Sequence, residues 1–267
     1  MSEVSVKLQG GLGNYLFQIA SAYSYGLKHG KKPIFTTNDS LVIHKSITNY
    51  NENILSNVEL IPNKKTSSYK VYTEPAFSYF EIPEIKNSVY LNGYFQSEKY
   101  FKEYESEIRE LFSYPTSVID DVTETALDAY GVDLSVDNTC SIHVRRGDYL
   151  KLVDYHPSQD MGYYMKAIKN MPKDSVFLVF SDDIEWCKEN FPDVPEKFRF
   201  VEGSKDYEDL LLQSLCKNNI ICNSTFSWWA AWFNENPDKK IISPNKWFGP
   251  SMPHDTKDLY CEGWERI

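Results

Sequence analysis

Nowhere in this chain do apolar residues run for the ~20 positions a membrane-crossing helix needs, so no transmembrane span is expected. The opening residues, Met1-Ser2-Glu3-Val4, lack a basic segment followed by an apolar one, and no secretory signal is expected either. Cysteine is scarce. The five present (Cys140, Cys187, Cys216, Cys222 and Cys261) are odd in number and scattered, with no CxxC pair and no Cys/His cluster. That argues against zinc and for reduced thiols, most of them in the core. Positive charge is short as well. The net charge of −10 argues against a nucleic-acid surface, where a basic stripe belongs, while leaving room for a local basic pocket around one small anion. Repeats, low-complexity tracts and long charge runs are missing. These absences point to a cytosolic protein, or one at the cytosolic face of a membrane.

What is present is a globular chain. Its 267 residues can bury a sizeable core and allow one large or two small domains. Val4 to Gln9 alternates as a strand, Gly10-Gly11-Leu12-Gly13-Asn14 forms a turn, and a helix over about 14–29 stops at Gly30. Pro33 to Thr36 reads as a second strand, completing a Rossmann-like opening. Residues 38–90 read as loops with small strands. A strand over 89–94 and helices over 97–112 and 117–130 follow. The second half alternates strands near 139–145, 175–181, 197–202, 219–222 and 240–243 with helices near 160–170, 183–191, 205–216 and 225–235. Continuous apolar runs such as Val176 to Phe180 predict strands buried on both faces of a parallel sheet. The fold class is α/β with two Rossmann-like domains, whose boundary falls near 114–138. Division after residue 115 gives domains 1–115 and 116–267.

Ligands of parallel sheets bind beyond the carboxyl ends of the strands, and three polar clusters lie there. The first is His143-Val144-Arg145-Arg146-Gly147-Asp148-Tyr149. Two adjacent guanidiniums exceed what one Asp can satisfy, and a phosphate would match the planar fork of arginine. A surface turn with a local Arg–Asp pair is the alternative. The second is Ser181-Asp182-Asp183, either a helix cap with an acidic first turn or a ligand group able to accept from guanine. A metal is disfavoured, because no second acidic cluster has ligand spacing. The third is Asn223-Ser224-Thr225, either a plain cap or a phosphate-binding helix start. It is also a glycosylation sequon, without the secretory signal that would give one meaning. Trp228, Trp229 and Trp232 fit core packing better than sugar stacking.

The glycine turn fails two tests. A dinucleotide fingerprint counted from Gly11 needs glycine at position 16, where Leu16 stands, and no Gly-Lys-Ser/Thr follows for a Walker loop. That counts against an NAD-dependent enzyme. The glycines still permit close backbone approach to a ligand.

Together, Gln9 to Asn14 with Phe17-Gln18, His143 to Tyr149, Phe180 to Asp183 and Asn223 to Trp229 carry a resemblance. In order and spacing, over about residues 9–250, the chain resembles the α-1,2-fucosyltransferases of glycosyltransferase family eleven. Tyr15 departs from the Gln usual there. The resemblance implies a GT-B-like fold, with the two domains facing a central cleft: 1–115 on the acceptor side and 116–267 for the nucleotide sugar. It implies a GDP-fucose donor, a galactose-terminated glycan acceptor, inversion at the fucose anomeric carbon, and no metal or other cofactor. By the same resemblance Arg145 binds the β-phosphate and Asp148 orients an arginine and lines the fucose pocket; these are the catalytic pair. His143, Arg146, Asp182, Asp183, Asn223, Ser224, Thr225 and Phe226 complete the donor site, with Asp182 and Asp183 reading guanine. Gly11, Gly13 and Asn14 face the diphosphate and fucose from the first domain. Asp148, Asp154 and His156 are candidate bases by sequence proximity, although a carboxylate between arginines is a weak base. Residues 38–90 carry no alignable motif and are assigned acceptor choice. The alternative function is a nucleotide-sugar or glycan-binding protein of this fold without catalysis.

Overall fold

The computed structural model describes residues 1–37 and 46–267. The start of the 38–90 stretch, expected as loops with small strands, therefore lies outside the described residues at 38–45. The chain forms two compact units, Met1–Pro115 with His254–Cys261, and Thr116–Pro253 with Glu262–Ile267. A simple cut after residue 115 would leave 254–261 in the second domain, and the packing groups them with the first. Asp258 shows why. It is buried and accepts from Lys99 Nζ at 2.6 Å and from Tyr79 N–H at 3.0 Å, while its carbonyl accepts from Ser97 Oγ at 2.5 Å.

The first unit has a four-stranded parallel sheet of order β2-β1-β4-β3, made of β1 (Glu3–Val6), β2 (Lys32–Pro33), β3 (Lys70–Thr73) and β4 (Val89–Asn92). Helix α1 (Leu12–His29) buries Leu16, Phe17, Ile19 and Ala20, as its apolar spacing requires. It stops at Gly30, whose φ of 60° suits glycine and whose N–H reaches back to the last carbonyls. The expected helix over 97–112 is instead two 3-10 turns, Glu98–Tyr100 and Lys102–Tyr104, followed by α2 (Glu105–Leu111). Phe101 (φ −140°, ψ 2°) and Tyr104 (φ −119°, ψ 35°) interrupt the helix. Phe101 is fully buried, and tertiary packing of its ring against Phe17 prevails over helical continuity.

The second unit holds a six-stranded parallel sheet of order β10-β9-β8-β5-β6-β7. Its elements are α3 (Thr116–Tyr130), β5 (Thr139–Val144), α4 (Met161–Lys169), β6 (Val176–Ser181), α5 (Ile184–Asn190), β7 (Phe198–Phe200), α6 (Asp206–Leu215), β8 (Asn218–Ile220), α7 (Thr225–Phe233), β9 (Ile241–Ser243) and β10 (Glu265–Arg266). Every residue of β5 is buried, as a central parallel strand demands. Trp228, Trp229 and Trp232 are core residues, packed against one another edge to face. Burial of such a side chain is worth roughly 1.5–3 kcal/mol, and this cluster anchors α7 to the sheet. No described helix is long and apolar enough to cross a membrane.

Candidate active site

Strand register assembles the site of the second unit. β5 lies between β6 and β8, with Val144 opposite Ser181 and Ile142 opposite Ile220. The residues that follow each strand therefore leave the sheet side by side. Arg145 donates to Asp148 at 2.7 Å and to Asp182 at 3.1 Å. Its side chain is 29% exposed, so the fork keeps a face toward solvent. Burial opposes its charge, but Asp182 and Asp148 outweigh that and hold its pKa above the ordinary value. Asp182 also accepts the backbone N–H of Arg146 at 2.8 Å. A Cβ at Gly147 would sit 2.5 Å from Asp182 Oδ2, so a side chain there would push that carboxylate aside.

Arg146 points elsewhere. Its Nε donates to Asp183 at 3.0 Å and its guanidinium lies over the Trp186 ring. Asp183 in turn caps α5, accepting from Trp186 N–H at 3.4 Å. Asp182 and Asp183, expected to read guanine, are thus engaged with arginines in this state. Asp148 is the carboxylate closest in chain to Arg145 and pairs with it, while Asp154 holds backbone contacts through its carbonyl to Ser251 N–H at 2.9 Å. His156 stacks on Tyr149 with ring centroids 5.1 Å apart.

Beneath this rim His143 is 7% exposed. Burial, with Arg145 adding to it, pushes its pKa down to about 3, so the imidazole is neutral. Its Nδ1 lies 3.2 Å from Cys222 Sγ, whose thiol burial pushes up to about 12. Two neutral groups thus tie the end of β5 to the segment after β8. Phe226 packs against His143 at 5.3 Å between ring centroids.

The third cluster divides into scaffold and site. Asn223 is 2% exposed and its side chain is spent internally. It donates to Pro157 O at 3.0 Å and Trp247 O at 2.9 Å and accepts from Gln159 Nε2 at 2.9 Å. Ser224 caps α7, accepting from Phe226 N–H at 3.3 Å, and Thr225 begins the helix, whose free N–H groups suit an anion. Tyr149 fastens the first cluster to the third by donating to Asn223 O at 3.0 Å; burial raises its pKa, and the phenol keeps its proton.

In the first unit, the glycine turn leads from β1 into α1. Gly10 has φ +89°, and a Cβ there would lie 2.3 Å from Asn14 Nδ2. Gly11 caps the helix and its carbonyl accepts from Asn14 and Tyr15 N–H, both at 3.0 Å. Gln18, fully buried, clasps the Gln9 backbone: its Oε1 accepts from Gln9 N–H at 3.0 Å and its Nε2 donates to Gln9 O at 3.1 Å. Gly13 opens the first turn of α1 beside Asn14.

The sequence reading missed Tyr149, Gln159 and Trp186 as supports, and Gln96 as the partner of Asn14. Tyr149 alone lay within a recognised motif. The other three are distant in sequence from the residues they hold, and no local pattern marks them. A cavity of about 150 Å³ lined by Val122, Tyr130, Tyr207 and Leu212 contains none of the strand-end residues.

The family model described as Glycosyl transferase family 11 matches residues 3–267. An Escherichia coli protein named alpha-1,2-colitosyltransferase is 31% identical over 296 residues, covering 100% of this chain and 99% of its own length. A galactoside 2-alpha-L-fucosyltransferase of Caenorhabditis elegans is 24% identical over 257 residues, covering 87% of this chain and 69% of its own. Among solved structures, NodZ alpha-1,6-fucosyltransferase soaked with GDP-fucose aligns with a TM-score of 0.56 at 12% identity, covering 87% of this chain and 93% of that one. At that identity the likeness concerns the fold, which is of the GT-B type with parallel-sheet α/β units.

Proposed function

We propose that this chain, which belongs to glycosyl transferase family 11, moves L-fucose from GDP-β-L-fucose to the 2-hydroxyl of a terminal galactose, with inversion at the anomeric carbon. One observation carries the reading: Arg145, half-open at the end of β5 and held by Asp148 and Asp182, offers remaining N–H donors at a sheet rim suited to a diphosphate. The galactose 2-oxygen forms a bond to fucose C1 as the bond from C1 to the β-phosphate oxygen breaks. The electron pair leaves with GDP, and the hydroxyl proton passes to a base. Arg145 stabilises the charge that grows on the leaving phosphate, the term that usually dominates such transfers. Asp148 holds Arg145 in place. Ser224, Thr225 and the start of α7 serve the phosphates. The neutral imidazole of His143 adds no charge and orients the end of β5 beside the nucleotide. Gly11, Gly13 and Asn14 are ligand-facing residues of the first unit. The positive charge comes from arginine, and no metal takes part.

A second donor is favoured by the 31% identity to a colitosyltransferase. Colitose lacks only the 3-hydroxyl of fucose, and a site that hydrogen-bonds that hydroxyl discriminates strongly between them. Release of GDP from GDP-fucose and from GDP-colitose, with and without a β-galactoside, tests both readings. Acceptor-dependent turnover of GDP-fucose with a new α-1,2 linkage is expected. Preference for GDP-colitose would move the assignment to that donor, and nucleotide binding without turnover would point to a binding protein.

A further inference from the structure

The second unit holds a cavity apart from the strand-end residues. It lies between α3 and α6, and its volume is about 150 Å³. A cavity of that size admits one benzene ring. Its buried lining residues are apolar: Val122 comes from α3, Leu212 from α6 and Val201 from the segment between β7 and α6. Tyr130 and Tyr207 also line it. Tyr130 is held in place, since its hydroxyl donates to Glu202 O and accepts from Glu202 N–H, both at 3.3 Å. A hollow walled in this way exists before any ligand arrives, as small-molecule sites usually do.

Charge around this cavity is one-sided. Asp121, Glu208 and Asp209 belong to its lining. Asp121 is exposed and has no hydrogen bond or ion pair among the described residues. Glu208 accepts from Lys205 N–H at 2.7 Å, and Asp209 accepts from Ser204 Oγ. One ammonium is close: Lys205 Nζ donates to Tyr207 Oη at 3.1 Å and lies 3.6 Å from Glu208. Arg199 is spent on the backbone, its Nε donating to Tyr130 O at 2.7 Å. Three carboxylates against one ammonium leave the cavity net negative. A solvated acidic helix face would need no hollow, whereas these acids border apolar surface that the fold leaves uncovered.

We propose that this cavity binds a small organic cation: a protonated amine on an apolar body about the size of one benzene ring. The body packs against Val122, Val201 and Leu212, which removes apolar surface from water. The ammonium stays by the carboxylates and the tyrosine rings, both of which attract a cation. A neutral body of the same shape forfeits that attraction, and an anion meets like charge. The site lies wholly within the second unit and does not depend on the transferase reading.

Benzylamine, protonated near neutral pH, is the probe, with benzyl alcohol and benzoate as its neutral and anionic counterparts. Titrations of the full chain, followed by nuclear magnetic resonance of labelled methyl groups, report both affinity and place. Benzylamine should bind saturably and shift the methyl signals of Val122, Val201 and Leu212. Benzyl alcohol should bind at least about tenfold more weakly, and benzoate should not bind. Asp121→Asn combined with Glu208→Gln should weaken benzylamine to the affinity of benzyl alcohol and leave benzyl alcohol itself unchanged. Should that variant fail to fold, added salt at about 0.5 M should weaken benzylamine binding to the wild-type chain and spare benzyl alcohol. Absence of saturable binding by benzylamine, methyl shifts confined to other parts of the chain, or equal affinity for the alcohol overturns the proposal. No nucleotide sugar enters these measurements, so failure of the transferase reading and failure of this site are told apart.

Discussion

The guanidinium carbon of Arg146 lies 3.9 Å from the centroid of the Trp186 ring, and its Nε donates to Asp183 at 3.0 Å. Its neighbour Arg145 lies farther from its ring, 5.6 Å from the centroid of Tyr149, and faces the rim with two carboxylates beside it. Two adjacent arginines therefore divide the work. One fastens the loop after β5 to α5, and the other keeps donors for a ligand.

Substitutions should separate these roles. Arg145→Ala, and also Arg145→Lys, should lower kcat by about a hundredfold or more, because an ammonium cannot reproduce the bidentate fork. Stability should fall as well, by about 1–2 kcal/mol, because two partly buried ion pairs are lost. Arg146→Ala should cost about 1–2 kcal/mol of stability through the lost ring contact and ion pair, with a smaller effect on turnover. Denaturant melts beside steady-state kinetics check both, and near-normal turnover in Arg145→Ala would overturn its assigned role.

Gly147→Ala places a methyl group where Asp182 Oδ2 now sits, 2.5 Å from the new carbon. Asp182 must withdraw from Arg145 and from the Arg146 N–H. Donor KM should rise while circular dichroism stays that of the wild type, and titration with GDP-fucose measures the change.

Asn223 makes a contrasting case, because its amide is consumed inside the fold. Asn223→Asp would set a carboxylate oxygen against the Pro157 and Trp247 carbonyls. Stability should fall by about 3 kcal/mol, the cost of leaving buried acceptors unpaired. Thermal unfolding reads this directly, and an unchanged melt with impaired GDP binding would return Asn223 to the ligand site.

His143 predicts a pH dependence. Its folded pKa of about 3 is below the 6.5 of the free side chain, chiefly because it is buried. Between these values the unfolded chain binds the extra proton and the folded chain does not. The contribution is complete above about pH 6.5 and is lost as pH falls toward 3, with a slope of up to about 1.4 kcal/mol per pH unit. His143→Gln should flatten stability against pH in that window, as urea midpoints from pH 7 to 4 will show.

Removal of divalent cations gives a further check. Turnover of GDP-fucose should be the same in excess EDTA as in added Mg²⁺, since the proposal assigns the leaving-group charge to Arg145. Restoration of activity by a metal would refute that assignment.

Local pattern was enough to read the alternating strands and helices of the second half, the turn of Gly10 to Asn14, and the three polar clusters. Apolar runs, glycine and capping residues act over a few positions, and such signals survive in a linear string. Arg145, Asp182 and Ser224 could be placed at strand ends for the same reason. Their partnerships could not. Arg145 meets Asp182 because Val144 pairs with Ser181 across the sheet, a register set by long-range packing. The interruption at Phe101, the return of 254–261 to the first unit through Asp258, and the internal use of Asn223 likewise come from contacts distant in sequence. So does the hold of Gln96 on Asn14, across 82 positions of chain. Composition and periodicity determined which elements form and which residues could carry charge chemistry. Only the folded chain decided which of those residues hold the site and which are left to meet a ligand, because that depends on which polar atoms find partners within it.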